Sequence, residues 1–484
     1  MTQSSYSDTS PTSIESFGRR LVGSTVRKTK GLKDIPLEYL SESEGVHTKG
    51  TFGSLVESFY YGIDPGNQPC SPDFKDAGVE LKTHSLTKGR SGFSAKERLS
   101  LGDIQYHEIV SEIFETSCFM RKNRLLMLIS RRHTEEDLLV DARIELANLI
   151  DFNRLPKADQ QIIQEDWNHI ADKIRNGQAH LLSGSDTRYL EAATKGRDGS
   201  VRVSQPRSEE PARPRAFAFK AGYLTSLVRM YLSNDAQYTE VDHQEVISDP
   251  SEIDDIGFEW AVTERFHPFL GLTTDEIEDR LGVSPNRAAK GYRATLARLM
   301  LGVSTRKITE FERAGIELKT IVIHENGLPR EHMSFPTFKY MGEGGILTED
   351  WDATDSDGED DEDAGDDHAI PMIKRILEDK RFLFAVFEKD SGRERLTKVM
   401  FWSMPVVDIE RYVRPAWQLA QDCVQSGNLG DLPGARFNHV CHVRTHGRGR
   451  GLDTLPTLYN GQQTRRSFWL DKHYIHGQIT ADAF

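Results

Sequence analysis

The sequence predicts an α/β fold of the mixed-sheet (α+β) kind, built twice within one chain. Three observations carry this. Apolar runs of strand length, such as Leu125-Leu126-Met127-Leu128-Ile129, alternate with amphipathic helical segments, such as 159–176, where Ile162, Ile163, Trp167, Ile170 and Ile174 share one face. A chain of 484 residues is too long for one ordinary core, which favours two or three domains. An eleven-residue segment, Asp73 to Thr83, recurs as Glu310 to Thr320 with seven identities.

In chain order, residues 1–30 read as a Ser/Thr-rich flexible leader, and 31–233 as a first domain. Within it, Lys49 to Tyr61 is predicted as an amphipathic helix with Phe52, Leu55, Val56 and Phe59 on its stripe and Glu57 off it. Val79 to Lys82 is a strand, so Glu80 and Lys82 face one way while Val79 and Leu81 face a core. Gly177 stops the helix over 159–176. Residues 234–255, polar and without periodicity, form a linker. The second domain, 256–484, opens with a capping-box pattern at Thr273 to Glu276 and carries an acidic, disordered insert at 349–367.

Net charge alone misleads about partners. Twelve acids and no Lys or Arg lie from Glu349 to His368, so without them the formal charge of −14 becomes −2. Local basic segments then decide. Arg188 to Met230 and Arg436 to Ile475 hold clear Lys/Arg excesses interleaved with aromatics, a composition that suits contact with DNA phosphates and groove edges. Lys195, Arg197, Lys220 and Arg448 in these segments are the candidate DNA contacts, with Lys122 upstream. Four scattered cysteines without a C-x-x-C pair argue against a zinc site and a disulfide framework. The N-terminus lacks the apolar core of a signal peptide, and no apolar run approaches the roughly 20 residues of a membrane span, so a cytoplasmic location is expected.

The first copy of the repeat carries the chemistry. Asp73 and Glu80 offer paired carboxylates to a magnesium ion, with the Leu81 carbonyl as a further ligand. Lys82 is placed to contact the scissile phosphate and orient the attacking water, and Glu57 to support the metal from the neighbouring helix. The basic pair Arg121-Lys122 offers charge to the phosphoryl oxygens. The residues do not choose between the two; we assign Arg121 to chemistry and Lys122 to DNA. In the second copy Asp73 is replaced by Glu310, Arg298 falls near the position of Glu57, and Glu378-Asp379 stand for Arg121-Lys122. One added methylene and reversed charges should disable metal binding there. The expectation is an active first half and a degenerate second half.

The segments Gly53 to Glu57, Asp73 to Thr83 and Glu165 to Ile174 resemble the mismatch-repair nickase family of MutH, over roughly residues 35 to 230. With the doubled architecture, and with Ser183 to Leu190, Thr194 to Gly196 and Arg215 to Phe217, nearly the whole chain resembles MutH-like type II restriction endonucleases of the Sau-three-A type. The resemblance implies a restriction-endonuclease-like core in two MutH-like domains and magnesium-dependent cutting of double-stranded DNA at GATC, leaving 5′-phosphate ends. It also implies a second domain that binds DNA as an effector and engagement of two sites or dimerisation on DNA. It places catalysis on Asp73, Glu80, Lys82 and Glu57, and base contact on Lys195. A MutH-like repair nickase and a non-cleaving, methylation-sensing DNA-binding protein are the competing readings.

Overall fold

The computed structural model describes residues 6–30, 51–63, 69–90, 92–133, 139–196, 199–233, 243–247, 257–353, 369–446, 453–459 and 461–481. The described residues divide into two compact units, one of residues up to 233 together with Glu312–Ala314, the other of the remaining residues from 243 onward.

The first unit is built on a four-stranded mixed sheet in the order β2-β1-β4-β5, with β1 Val79–Gly89, β2 Gly92–Ala95, β4 Leu125–Arg132 and β5 Ile144–Asp151. β1 and β4 are parallel, and both outer pairings are antiparallel. β4 is central and buried on both faces, which explains its unbroken apolar run. A second, antiparallel sheet follows the order β3-β9-β6, from β3 Leu99–Asp103, β6 Leu190–Thr194 and β9 Arg215–Phe219. Helix Lys157–Arg175 buries Trp167, Ile170 and Ile174 fully. Burying each such side chain contributes about 1.5–3 kcal/mol. Its Asp166 is also buried, because its carboxylate accepts the N–H groups of Arg188, Tyr189 and Leu190 and so fixes where β6 begins.

The leader does not behave as a flexible segment over its described part. Pro11–Gly18 is a helix, N-capped by Ser10 with Pro11 in its first turn, and Ile14, Phe17, Leu21 and Val26 are buried in the first core. The Ser/Thr content that suggests disorder includes this helix-start signal. Helix 51–61 also differs from the expected pattern. It is α-helical over Thr51–Ser54 and a π-helix over Leu55–Tyr61. The wider turn buries Tyr60 and Tyr61 and leaves Phe59 half-buried, and the two hydroxyls donate to the carbonyls of Phe17 and Ile14.

The second unit repeats this topology on its own core, without a counterpart of β2 among the described residues. β12 Ile316–Ile323 is parallel to β14 Arg381–Asp390, which is antiparallel to β15 Arg393–Trp402. A further antiparallel sheet has the order β13-β19-β16, from β13 Met333–Phe338, β16 Cys441–Thr445 and β19 Arg466–Leu470. The pairing Val79↔Leu125 has its counterpart in Ile316↔Arg381. Likewise Leu99↔Phe219↔Leu190 corresponds to Met333↔Leu470↔Cys441. Two similar sequence patterns therefore fold into two like frameworks.

Three expectations are corrected here. Within the expected linker, His243–Gln244 pairs with β11 Lys307–Ile308 and Val246 is buried, so residues 243–247 are ordered. Cys70 and Cys118 form a disulfide, bringing together loops 48 residues apart whose approach no local spacing reveals; Cys423 and Cys441 are free and buried. Glu349, at the edge of the acidic insert, is buried and accepts from Met372 N and Trp417 Nε1, whereas residues 354–368 lie outside the described residues. No described helix is long and apolar enough to cross a membrane.

Candidate active site

The site grows from the turn that precedes β1. Phe74 and Val79 exchange backbone hydrogen bonds of 2.9 and 3.2 Å, and Gly78 closes the turn at φ +66°, a left-handed conformation that costs other residues about 1–2 kcal/mol. This folds Asp73 back beside the strand edge. Asp73 Oδ2 accepts the Leu81 N–H at 2.8 Å, and the Asp73 N–H reaches Glu80 Oε2 at 3.3 Å. A strand residue's N–H and C=O point to the same side, so the Leu81 carbonyl opens toward Asp73.

Glu80, Lys82 and His84 project together from one face of β1, while Val79 and Leu81 are buried in the core on the other. Glu80 is 1% exposed. Its Oε1 lies 3.1 Å from Lys82 Nζ and 3.4 Å from Lys122 Nζ, and both lysines are buried. Lys122 arrives from helix Cys118–Asn123, which Ser117 N-caps through Met120 N at 3.2 Å. Its first residue is tied by disulfide to Cys70, three residues before Asp73. Both approaches to the site are therefore covalently joined. Burial pushes the Glu80 carboxyl up to about 7, against the pull of Lys82 and with help from the nearby Asp73 charge. Two carboxylates and two ammoniums make the cluster neutral overall, so a divalent cation would be offset by an incoming phosphate anion and its nucleophile.

The structure sorts the remaining candidates. Glu57 is half-buried on the π-helix; a methyl on Gly53 would sit 3.7 Å from its Oε1 and 3.5 Å from Thr83 Oγ1, which places the carboxylate beside β1. Arg121, expected at the chemistry, instead turns outward: it donates to the Thr116 carbonyl at 3.0 Å and lies 3.7 Å from Glu112, with its side chain 55% exposed. Lys122, expected on DNA, takes the inner position because it lies about 100° around the helix from Arg121 and points at Glu80. Lys220 is also not a DNA-facing group; it is buried, and its Nζ donates to the Thr187 carbonyl at 2.6 Å. Lys195 stays half-exposed at the end of β6, 2.6 Å from Asp103. Asp103, Gly102, Lys122 and Phe217 line a common cleft. Arg197 and Arg448 lie outside the described residues. Sequence reasoning passed over His84, which the two-residue period from Glu80 and Lys82 puts on the same face; its Nε2 contacts the Glu97 carbonyl at 2.9 Å.

The second copy keeps half of this arrangement. Glu317 pairs with Lys319 at 2.6 Å and Lys380 at 3.3 Å, as Glu80 does with Lys82 and Lys122. Yet the Glu317 side chain is 39% exposed, and its two lysines outweigh burial and hold its carboxyl below the usual range. Glu310 is not merely one methylene longer than Asp73. It lies in helix Thr309–Ala314, is buried, and its Oε1 accepts the N–H groups of Val246 and Ile247, each at 2.8 Å. A helix in place of the turn carries that carboxylate to a different set of partners.

Comparison with known proteins agrees with this framework. Residues 61–166 match the family model of the DNA mismatch repair enzyme MutH. The chain is 30% identical to the type II restriction enzyme Sau3AI of Staphylococcus aureus, with 96% of this chain and 97% of that protein aligned. It is 24% identical to the DNA mismatch repair protein MutH of Vibrio parahaemolyticus, over 46% of this chain and 96% of that protein. Full-length similarity to the first, a MutH match confined to the first half, and a framework built twice together mean that the chain belongs to the MutH-like type II restriction endonucleases, hydrolases that cleave DNA.

Proposed function

We propose that the first unit hydrolyses double-stranded DNA at GATC in a magnesium-dependent reaction in the cytoplasm, and that the second unit binds DNA as an effector without cutting. The observation that carries the first part is the convergence of Asp73, Glu80, Lys82 and Lys122 on one strand edge. Asp73, Glu80 and the Leu81 carbonyl form an all-oxygen donor set, which suits a hard cation, and the raised Glu80 marks a carboxylate whose burial a cation would relieve. When bound, magnesium supplies Lewis acidity at the phosphoryl oxygens.

The chain's own groups do the rest. Lys82 Nζ orients the attacking water and offsets charge on the phosphoryl group. Water oxygen bonds to phosphorus as the bond to the 3′-oxygen breaks, and the leaving oxygen takes the electron pair and a proton. The products are a 5′-phosphate and a 3′-hydroxyl. Lys122 holds Glu80 in register from the other side, Glu57 supports the site from its helix, and Lys195 approaches the base edges. The exposed Glu317 and diverted Glu310 support a second unit that engages a second DNA site, or a second chain on DNA, without chemistry.

The alignment along the whole of a restriction enzyme, against less than half of this chain for MutH, favours restriction over a repair nickase. The test is incubation with plasmids that differ only in GATC content and methylation, with and without magnesium. Double-strand cuts confined to GATC-containing plasmid in magnesium are expected. DNA binding without cleavage under any metal overturns the enzymatic reading, and nicks alone favour the nickase.

A further inference from the structure

The second unit holds a side-chain cluster that the nuclease reading does not use. His332 immediately precedes β13, His442 lies in β16, and Asp471 immediately follows β19. One nitrogen from each imidazole and one Asp471 oxygen all lie within 4.8 Å of one another. His442 is 1% exposed and Asp471 6%, and the two imidazole rings stand perpendicular with centroids 4.9 Å apart.

The hydrogen bonds at this cluster are incomplete in a telling way. Neither ring nitrogen of His442 has a hydrogen-bond partner, although every neutral imidazole carries one N–H and one lone pair and buried polar atoms are nearly always satisfied. Asp471 spends Oδ1 on capping the helix Lys472–Thr480 through His473 N at 2.8 Å, which leaves Oδ2 facing His332 Nδ1 at 3.4 Å. That same Nδ1 accepts the Lys472 N–H at 3.2 Å, so it presents a lone pair rather than a proton to Asp471, and an ion bound there would displace this long hydrogen bond. A carboxylate oxygen, an accepting imidazole and an orphaned imidazole thus converge with too few protons among them.

The corresponding positions of the first unit show what the framework does when no such demand exists. The matching pairings Leu99↔Phe219↔Leu190 and Met333↔Leu470↔Cys441 set Arg98 opposite His332, Glu191 opposite His442 and Lys220 opposite Asp471. Arg98 pairs with the buried Glu191 at 3.0 Å, and Lys220 donates to the Thr187 carbonyl. There, the Arg98 guanidinium satisfies the buried acid. In the second unit the same three positions hold two imidazoles and a carboxylate, with no lysine or arginine among the three.

We propose that His332, His442 and Asp471 hold a divalent transition-metal ion of the zinc class, which takes the place of the first unit's internal ion pair. The two imidazole nitrogens are borderline donors that favour zinc over magnesium, and with one carboxylate oxygen they leave a fourth position for water. His473 Nδ1, 2.8 Å from Asp471 Oδ1, orients the carboxylate from outside. The ion ties the start of β13 and the middle of β16 to the first turn of the last helix, a structural role separate from DNA cleavage.

The test uses the full chain carrying Asp73→Ala, which removes a ligand of the nuclease centre, stripped with chelator and titrated with Zn2+ or Co2+. One equivalent of zinc should bind, with N/O donors at about 2.0–2.1 Å and an imidazole signature in X-ray absorption, and should raise Tm. His442→Asn and His332→Asn, each added to that chain and checked for folding by circular dichroism, should weaken zinc binding by more than the roughly 10–100-fold that loss of an outer-shell partner costs. The more exposed His332 provides the reading if the His442 variant fails to fold. Absence of an imidazole-coordinated ion, or zinc binding unchanged in the folded histidine variants, overturns the proposal.

Discussion

Glu80, held between Lys82 and Lys122, sets what each substitution in the first unit does. Asp73→Ala removes one of the paired carboxylates and the acceptor of the Leu81 N–H, and plasmid cleavage should fall below detection while gel-shift binding of DNA persists. Lys122→Ala should lower the cleavage rate by about 10²–10³, the scale for losing one preorganised charge, whereas Arg121→Ala should change it less than about threefold. Single-turnover rates on one plasmid separate the two. At this scale the sequence was readable wherever strand alternation applies: Glu80 and Lys82 share a face as a period of two requires. It was not readable for Arg121 and Lys122, adjacent residues about 100° apart around a helix whose facing side is set by tertiary packing.

Elements carry the next level. The turn at Gly78 and the helix Cys118–Asn123 position opposite sides of the site, and the Cys70–Cys118 disulfide joins them. Reducing that bond in the oxidised protein should lower stability by about 2–4 kcal/mol, read as a fall in Tm or in the denaturant midpoint, and Cys118→Ser should reproduce the loss. Gly78→Ala should cost about 1–2 kcal/mol from backbone strain alone, since an added methyl meets nothing within 4 Å. Denaturant unfolding measures both. The strands that begin at Val79 and Leu125 and the helix Lys157–Arg175 were legible from periodicity. The ordered leader helix was not, because Ser10 and Pro11 read equally as loop residues until Ile14 and Phe17 find the core. The π-helix at Leu55–Tyr61 escaped for a similar reason: its register depends on where two tyrosine hydroxyls reach carbonyls.

Across the whole molecule, one framework carries two charge arrangements. The duplication was visible in the sequence because scaffold residues such as Gly78 and Gly315, both at positive φ, are kept in each copy. The cause of the second copy's divergence was visible only in part. A longer acid was apparent, but not that Glu310 would enter a helix and cap residues 246 and 247. Glu310→Ala should therefore cost about 1–3 kcal/mol of stability through unsatisfied N–H groups and leave the chemical step unchanged. If the second unit is an effector, plasmids with two sites should be cut faster than those with one. The most direct measurement is the magnesium-dependent cleavage rate of Asp73→Ala and Glu310→Ala, compared on the same GATC plasmid at a temperature where both are folded. Loss of cutting in the first and near wild-type single-turnover cutting in the second is the predicted result; equal loss in both would contradict an active first copy and a non-cutting second.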